Sequence, residues 1–554
     1  QEHDRPAGRS AGRAAGWGAG EAPAGAGGAG RAGAESERVN GVNLRNPKAY
    51  CEHLLRIRTK EQKLAPLVFN EAQEHLYGVI RQQAAAGKPI RIIVLKGRQE
   101  GISTVTEELM FQDTVTRPNL TTLIAALLTF LFVNVSAAQS VDERIGNAMN
   151  SESWHQLRKI YMEEGTHIQS PFLKTLSRFF VAHFYNEPDS ALHYGGILLE
   201  KYQGDLGGGV ANVLYLMSDD AARLGLWNDA YQMMHAYNAA LAQAQVPAEP
   251  LFVATENQYA ALRDAGGFQV IKPAKEIRIP FSYLSGKREN PGLICLSAQI
   301  HGETVRVNYD TGAGTNVMSE EMARKLNLKL CDFAGTQIGG VSQVNSKFAI
   351  VDSVCLGEIV YRNVPFQVID FSTGNAEADA QLKEIGLHCV LGTQTMMPLG
   401  EIQFDFANCN LIVPEKISAK PSYAPNIYRS AGNAFVLSLY DCKSQANIDA
   451  HLDSGAAYHG LTFKYFDRNR NLFEGLVPTD TLRYAGAGGV RSAKIGYTDM
   501  HYKIGDRIVK SDSVRVAMEG DLQGEEFDML YGLPEMAAFD KMILNFKDMW
   551  LRME

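Results

Sequence analysis

Apolar and polar residues follow different periods in the two halves of this chain. From about Ile279 onward they alternate with a period of two between frequent turns, the pattern of half-buried β-strands. Residues 140–270 instead space apolar side chains three and four positions apart with few β-branched runs, which indicates helices. The pattern predicts an all-α domain over 139–275, followed by two all-β lobes over 280–416 and 425–554.

The N-terminal region differs from both halves. Residues 1–36 are mostly Ala and Gly with scattered Arg and Glu, and because nothing there can form a core we predict disorder. Residues 37–126 have the residue pattern of a folded α/β fragment. In it the apolar run at 89–95 predicts a buried parallel strand.

A glycine-containing turn follows that strand and precedes a helix, a geometry that can cradle phosphate. The candidate residues of this turn are Lys96, Gly101, Ser103 and Thr104. With Gln73 upstream, residues 40–126 resemble the start of a phage large terminase subunit, which implies a nucleotide loop with Lys96 as its basic residue and Ser103 and Thr104 on the Mg²⁺ side. No acidic strand or nuclease carboxylate cluster follows, so we expect a vestigial loop without ATPase activity.

A short apolar run between 123 and 138 ends in small residues. It is too short to span a bilayer comfortably, and Ser136 and Ala138 occupy the −3 and −1 positions before Gln139. This is the form of a secretory signal peptide, and its use would make the protein secreted or periplasmic. A buried strand continuing from Leu120 is the alternative. We expect no stable membrane span.

Aromatic residues alternate with small ones inside the helical segment. The group around Phe179 and Phe180 is echoed by the group around Leu226 and Trp227, as stacked helix pairs require. Residues 140–270 are similar to tetratricopeptide-type repeats. We expect their aromatic side chains in the core rather than in a ligand site.

Two tetrapeptides carry the candidate chemistry, and each ends an alternating apolar run. They are Asp310, Thr311, Gly312 and Ala313 in the first copy and Asp453, Ser454, Gly455 and Ala456 in the second. Each tetrapeptide is followed by a glycine-rich turn, which contains Gly339 and Gly340 in the first copy and Gly488 and Gly489 in the second. An apolar-apolar-Gly motif comes next and ends at Gly392 in the first copy and at Gly532 in the second. Asp310 and Gly392 are 82 residues apart, Asp453 and Gly532 are 79 apart, and each of the two glycines lies 14 residues before a phenylalanine. The chain therefore contains an internal duplication.

The residue types of the tetrapeptides suit one shared site. Gly312 and Gly455 permit tight turns, and the hydroxyls of Thr311 and Ser454 can bond across to the other copy. Two carboxylates held about 3 Å apart cannot both ionise, so they share a proton. One can then act as base on a water while the other donates to a carbonyl, with neither metal nor cofactor required. The glycine-rich turns would be flaps that exclude water.

Residues 290–554 resemble two retropepsin-like aspartic protease units fused in one chain. The resemblance implies a two-lobed fold of closed barrel-like lobes in which Asp310 and Asp453 hydrolyse a polypeptide substrate, and one chain supplies both halves, so a monomer suffices. The second copy departs from the pattern at Tyr458 and His459, and where 531–534 replace the Leu-Gly-Thr of the first copy. A non-catalytic peptide-binding module on the same fold is the alternative.

Composition narrows the remaining choices. Of 554 residues 45% are apolar, enough for several cores, and a formal net charge of −8 argues against a nucleic-acid-binding surface over the whole molecule. The seven cysteines show no zinc-binding spacing. They could form a disulfide or two in an exported protein or remain buried thiols, and both readings stay open.

Overall fold

A computed structural model describes residues 139–338, 343–486, 489–520 and 527–554, together with Tyr77 and four short N-terminal strands. Those strands are β1 Arg38–Val39, β2 Val42–Asn43, β3 Arg56–Arg58 and β4 Leu64–Pro66, paired antiparallel as β1–β2 and β3–β4. They belong to a compact unit of their own, separate from the unit that holds 139–554. The predictions for 1–36, for 123–138 and for Lys96, Gly101, Ser103 and Thr104 fall outside the described residues and stay predictions.

The first part of the larger unit is helical. Its helices are α1 Val141–Asn150, α2 Trp154–Glu164, α3 Pro171–Phe184, α4 Pro188–Lys201, α5 Gln203–Leu206, α6 Val210–Arg223, α7 Trp227–Gln243 and α8 Pro250–Asp264. Helix α1 begins at a capping box, in which Ser140 and Glu143 bond to each other's backbone N–H. Helices α3, α4 and α8 begin with proline, whose missing N–H costs nothing in the first turn.

Consecutive helices pack against each other, and their shared core buries the predicted aromatic residues Phe179 and Phe180. The helical part ends at Asp264, earlier than the predicted boundary at 275. The reason is that Gln269–Ile271 form strand β5, which pairs with a strand of the first β lobe. Within the described chain, none of the helices combines the length and apolarity needed to cross a membrane.

The first lobe is a nine-stranded sheet with two flanking helices. Besides β5 it contains β7 Ser282–Tyr283, β8 Ile294–Ile300, β9 Glu303–Tyr309, β10 Val317–Ser319, β11 Leu330–Ile338, β12 Gln343–Leu356, β13 Ile359–Ile369 and β14 Cys389–Leu391. The sheet order is β7-β8-β9-β14-β10-β13-β12-β11 with β5 on β13, and an extra pairing of β12 with β8 curls it into a barrel-like form. Its helices are α9 Glu320–Lys325 and α10 Ala376–Ile385, followed by the short α11 Thr393–Met396.

The second lobe repeats the same plan. Its strands are β17 Ile427–Arg429, β18 Phe435–Asp441, β19 Ala446–Asp453, β20 Gly460–Leu461, β21 Asp480–Gly486, β22 Gly489–Ile504, β23 Arg507–Ala517 and β24 Met529–Gly532, with helices α12 Phe463–Arg468 and α13 Leu533–Ala537. The order β17-β18-β19-β24-β20-β23-β22-β21 matches that of the first lobe strand for strand, including the closing pair β18–β22. Both lobes also share two parallel pairings within otherwise antiparallel sheets.

A third sheet joins the two lobes. It contains β6 Ile277–Pro280, β15 Glu401–Asp405, β16 Asn410–Val413, β25 Lys541–Asn545 and β26 Trp550–Met553, in the order β26-β25-β15-β16-β6. The central pair β15–β25 is antiparallel, with Gln403 opposite Ile543 at its midpoint and Glu401 opposite Asn545. Because equivalent segments of the two copies meet here in a symmetric register, the lobes are related by a pseudo-twofold axis.

The cysteines of the described region are free thiols: Cys295, Cys331, Cys355, Cys389, Cys409 and Cys442. The sequence leaves disulfides and free thiols as alternatives for these six cysteines, and in the structure they are free thiols. Hydrogen-bonded sheets and the joining sheet, rather than disulfides, therefore hold the described part of the lobes together.

Candidate active site

Both tetrapeptides lie where a strand of one lobe meets the other lobe. Asp310 follows β9 and Asp453 ends β19, and each of these strands runs parallel to a neighbour, β14 or β24. The backbone N–H of Asp310 bonds to Leu391 O at 3.0 Å, which fixes the start of the first loop. The pseudo-twofold axis brings the two loops face to face.

Four reciprocal hydrogen bonds lock the loops together. The N–H of Thr311 donates to Ser454 Oγ at 3.0 Å and the N–H of Ser454 donates to Thr311 Oγ1 at 3.0 Å. The Thr311 hydroxyl donates to Leu452 O at 2.7 Å, and the Ser454 hydroxyl donates to Tyr309 O at 2.9 Å. Thr311 and Ser454 are fully buried, so these bonds form without competition from water.

The glycines after the hydroxyl residues bring the carboxyl groups together. Gly312 N–H donates to Asp310 Oδ1 and Gly455 N–H to Asp453 Oδ1, each at 2.8 Å, and Gly455 N–H also lies 3.2 Å from Asp310 Oδ1. A Cβ on Gly312 would lie 2.5 Å from Cγ of Asp453, and one on Gly455 2.7 Å from Cγ of Asp310. Each carboxyl group therefore sits directly over the glycine of the opposite loop.

The carboxyl groups of Asp310 and Asp453 lie side by side, since the N–H of Gly455 is 2.8 Å from Asp453 Oδ1 and 3.2 Å from Asp310 Oδ1. Burial raises the pKa of Asp310 well above its usual range, and the negative charge of Asp453 raises it further. Burial also raises the pKa of Asp453, while hydrogen bonds from Gly455 N–H and from Asp310 favour its ionised form. The pKa values of both carboxyls are raised by their surroundings, so the pair can hold one acid and one base at the same time.

Gly392 and Gly532 lie beneath the two loops. A Cβ on Gly392 would come 2.6 Å from Thr315 O, and one on Gly532 would come 3.0 Å from Ala456 O. The residues that follow them also bond to the loops, since Thr393 N–H donates to Ala313 O at 2.9 Å and Leu533 N–H donates to Ala456 O at 3.0 Å. These glycines allow each loop to rest on the strand below it, and Ala313 and Ala456 supply the carbonyls.

The flap candidates are only partly described. Gly339, Gly340 and Gly488 fall outside the described residues, and Gly489 begins β22 opposite Gly486. The strands that lead to the two turns, β11–β12 and β21–β22, are long antiparallel pairs in equivalent positions of the two lobes. The role of these glycines as flaps stays a prediction.

Sequence reasoning missed two polar residues beside the carboxyl groups. Asn308 precedes Asp310 by two positions and its Nδ2 lies 3.5 Å from Asp310 Oδ2. His451 precedes Asp453 by two positions and its Nε2 lies 3.3 Å from the carbonyl oxygen of Gly312, across the lobe boundary. The sequence could have indicated both residues, because side chains at alternate positions of a strand lie on the same face.

The residues where the second copy departs from the first are packed inside its own lobe. His459 Nε2 lies 3.3 Å from Ser511 Oγ and 3.3 Å from Glu535 Oε2. Burial lowers the pKa of His459 against the opposing charge of Glu535. Tyr458 lies under the guanidinium of Arg515. His459 is thus a partner of a buried carboxylate within the second lobe.

Known proteins match this part of the chain. Residues 296–395 match the family model described as aspartyl protease. The match supports an aspartic protease domain here. Nothing among the curated proteins matches the sequence.

Solved structures also match. A retropepsin-like aspartic protease from Rickettsia conorii is 18% identical and aligns over 26% of this chain and 93% of its own, with a TM-score of 0.18. Basic 7S globulin from soybean is 9% identical and aligns over 51% of this chain and 97% of its own, with a TM-score of 0.31.

The loop-locking hydroxyls give a testable stability effect. Replacing Ser454 with Ala leaves the buried Thr311 N–H without its acceptor and Tyr309 O without its donor. We expect the free energy of unfolding to fall by about 2–6 kcal/mol, since each of these two buried polar groups left unpaired costs about 1–3 kcal/mol. Urea denaturation measures it. Ser492→Ala, at an exposed position, serves as the control. Ser454→Thr keeps the hydroxyl group and should have a stability near that of the wild type. Equal stabilities of Ser454→Ala and Ser492→Ala would contradict the expectation.

Proposed function

We propose that this protein is an aspartic endopeptidase that hydrolyses peptide bonds with a water activated between Asp310 and Asp453. The observation that carries the proposal is the pair of adjacent carboxyl groups, one from each lobe, which both lie within 3.2 Å of Gly455 N and are held by reciprocal bonds between Thr311 and Ser454. A peptide-binding scaffold requires neither two carboxyl groups in contact nor the two glycines that let them meet.

The reaction needs one proton on the pair. Ionised Asp453 removes a proton from the water, whose oxygen attacks the carbonyl carbon of the scissile peptide, while protonated Asp310 donates to the carbonyl oxygen. The tetrahedral intermediate then collapses, the C–N bond breaks, and the leaving nitrogen takes the proton that Asp453 received. As the new carboxyl group forms, Asp310 takes back a proton from one of the two hydroxyl groups of the intermediate. Asp310 is then protonated and Asp453 is ionised, as at the start of the reaction.

The pH dependence follows from the same pair. Activity requires the singly protonated state, so it falls at low pH, where both carboxyls are protonated, and at high pH, where both are ionised. Because the pKa of Asp310 is raised, the upper limit should lie well above the usual range of a carboxyl group. We expect a bell-shaped profile on the acidic side of neutrality.

The test is cleavage of a mixed peptide library by the full chain between pH 3 and 8, beside Asp310→Asn and Asp453→Asn. We expect products from the wild type and at least a 1,000-fold lower kcat/KM from both variants, on the order expected for losing an essential acid or base. Equal amounts of product from the wild type and both variants would show that the carboxyl pair is not the catalyst. Tight peptide binding without products would favour the non-catalytic binding module.

A folding measurement separates catalysis from stability. A group whose pKa is raised in the folded protein adds stability at low pH that is lost as pH rises through its folded value. Asp310→Asn removes a carboxyl that is costly to ionise, so its melting temperature at pH 7 to 8 should equal or exceed that of the wild type. A variant that is both inactive and clearly less stable at that pH would point to misfolding.

A further inference from the structure

His451 differs from the residue at the same place in the first lobe. The duplicated spacing aligns it with Asn308, each two positions before the catalytic carboxyl group on the same face of β19 or β9. The imidazole stacks on Phe527 with ring centroids 4.7 Å apart, which fixes its plane. A titratable side chain thus stands on one side of a site that is otherwise nearly symmetric.

The histidine reaches across the lobe boundary. Its Nε2 lies 3.3 Å from Gly312 O, and because a carbonyl can only accept, Nε2 carries the hydrogen. The N–H of the same residue, Gly312, donates to Asp310 Oδ1 at 2.8 Å. His451 is therefore tied to the backbone that carries the Asp310 carboxyl group, and its positive charge, when present, favours ionised Asp310.

Among the described residues, the charged groups nearest the imidazole are acidic. Asp453 and Asp449 flank it on its own strand, at the same two-residue spacing. Asp310 faces it from the first loop, and Asp528, which follows the stacked Phe527, lies beside Asp449. Lys464 and Arg468 lie beyond, toward Asp449 and Asp528. From β18, the residue opposite His451 is the uncharged Val436.

We propose that His451 is a positioning residue that makes the carboxyl pair unequal, by holding the Gly312 carbonyl and by placing a switchable positive charge beside Asp310. This inference rests on the proposed function of the pair. The imidazolium opposes double protonation of the carboxyls, so it extends activity toward lower pH. Asn308 holds the corresponding place in the first lobe without a charge.

The test compares pH profiles of kcat/KM for the full chain and three variants. His451→Gln keeps an N–H donor but has no charge, and its acid limb should move to higher pH by about one unit, the size of effect expected from one nearby charge. His451→Lys keeps its charge at neutral pH, and its basic limb should move to lower pH. His501→Gln, an exposed histidine on β22 of the same lobe, should leave the profile unchanged.

A profile of His451→Gln that superimposes on the wild type would overturn the proposal. A purely structural role would lower the rate equally at all pH values, so a uniform loss without a shift would overturn it too. If the wild type cleaves no peptide, the proposed function fails while the inference is still decided by ¹³C NMR titration of aspartate-labelled protein. The lower of the two titration midpoints of the carboxyl pair, whose signals are assigned with Asp310→Asn and Asp453→Asn, should then move to higher pH in His451→Gln, and an unchanged midpoint would refute the role.

Discussion

Gly455→Ala is expected to reduce kcat/KM by at least about 100-fold, because an ångström-scale displacement of a reacting group costs that much. The added Cβ would lie 2.7 Å from Asp310 Cγ and would overlap Oδ2, although real Cβ contacts essentially never fall below 3.0 Å. Asp310 cannot retreat without losing its bonds to the N–H groups of Gly312 and Gly455. The carboxyl pair would therefore separate and lose its shared proton.

A matched substitution controls for the loss of glycine. Gly196 lies in the exposed interior of α4, where a Cβ meets nothing within 4 Å. Gly196→Ala should keep full activity and gain about 0.5–1 kcal/mol in stability, the difference in helix propensity. The measurements are kcat/KM and urea denaturation for both variants. Activity in Gly455→Ala above half the wild-type value would show that the site does not require the close approach.

Asp219→Asn is expected to lower the free energy of unfolding by about 3–5 kcal/mol, the cost of leaving a buried charge without its partner. Arg429 of the second lobe is 1% exposed, and its Nη2 donates to Asp219 Oδ2 of helix α6 at 2.7 Å. Arg429 Nε and Nη1 have no hydrogen-bond partner among the described residues. Asp219 is thus the main counter-charge of a guanidinium buried between the helices and the lobe.

The stability that the contact between Asp219 and Arg429 contributes depends on pH. Although burial opposes its ionisation, the positive charges of Arg429 and Arg223 hold the pKa of Asp219 well below its usual range. A group with a depressed folded pKa adds stability above its unfolded value, about 4 for aspartate, and this stability is lost as pH falls. The difference in melting temperature between wild type and Asp219→Asn should therefore shrink in acid.

Two further variants isolate the ion pair. Asp512→Asn removes an exposed carboxylate and should change stability by less than about 0.5 kcal/mol. Asp219→Asn combined with Arg429→Met removes both charges and should recover much of the lost stability. Equal stability of Asp219→Asn and Asp512→Asn would contradict the assignment.

This ion pair also links the helices to the active site. Arg429 hydrogen-bonds to Asn433 in the turn that follows β17, and Asn433 O accepts from the Thr393 hydroxyl at 2.8 Å. Thr393 in turn holds the first active-site loop through Ala313 O. The helical part therefore braces the loop that carries Asp310. His183, Asp219 and Asp220 have the geometry of a metal site, but Arg223 and Arg429 already engage the two carboxylates.

Residue spacing predicted much of the C-terminal half. The period-two pattern placed strands before Asp310 and Asp453 because a sheet with one buried face requires that alternation. Equal separations downstream predicted a duplication, and the two lobes have the same strand order. The helical period likewise predicted helices before the lobes, although strand β5 showed that a three-residue strand cannot be separated from a helix end by pattern alone.

What the sequence determined by itself is therefore local: which segments alternate, where a glycine follows an aspartate, and that the arrangement occurs twice. The tertiary structure alone decided which distant groups meet. His451 contacts Gly312 139 residues away, and Asp219 pairs with Arg429 210 residues away. Period and spacing record only the neighbours along a chain, whereas these contacts depend on how the joining sheet and the helices orient one lobe against the other.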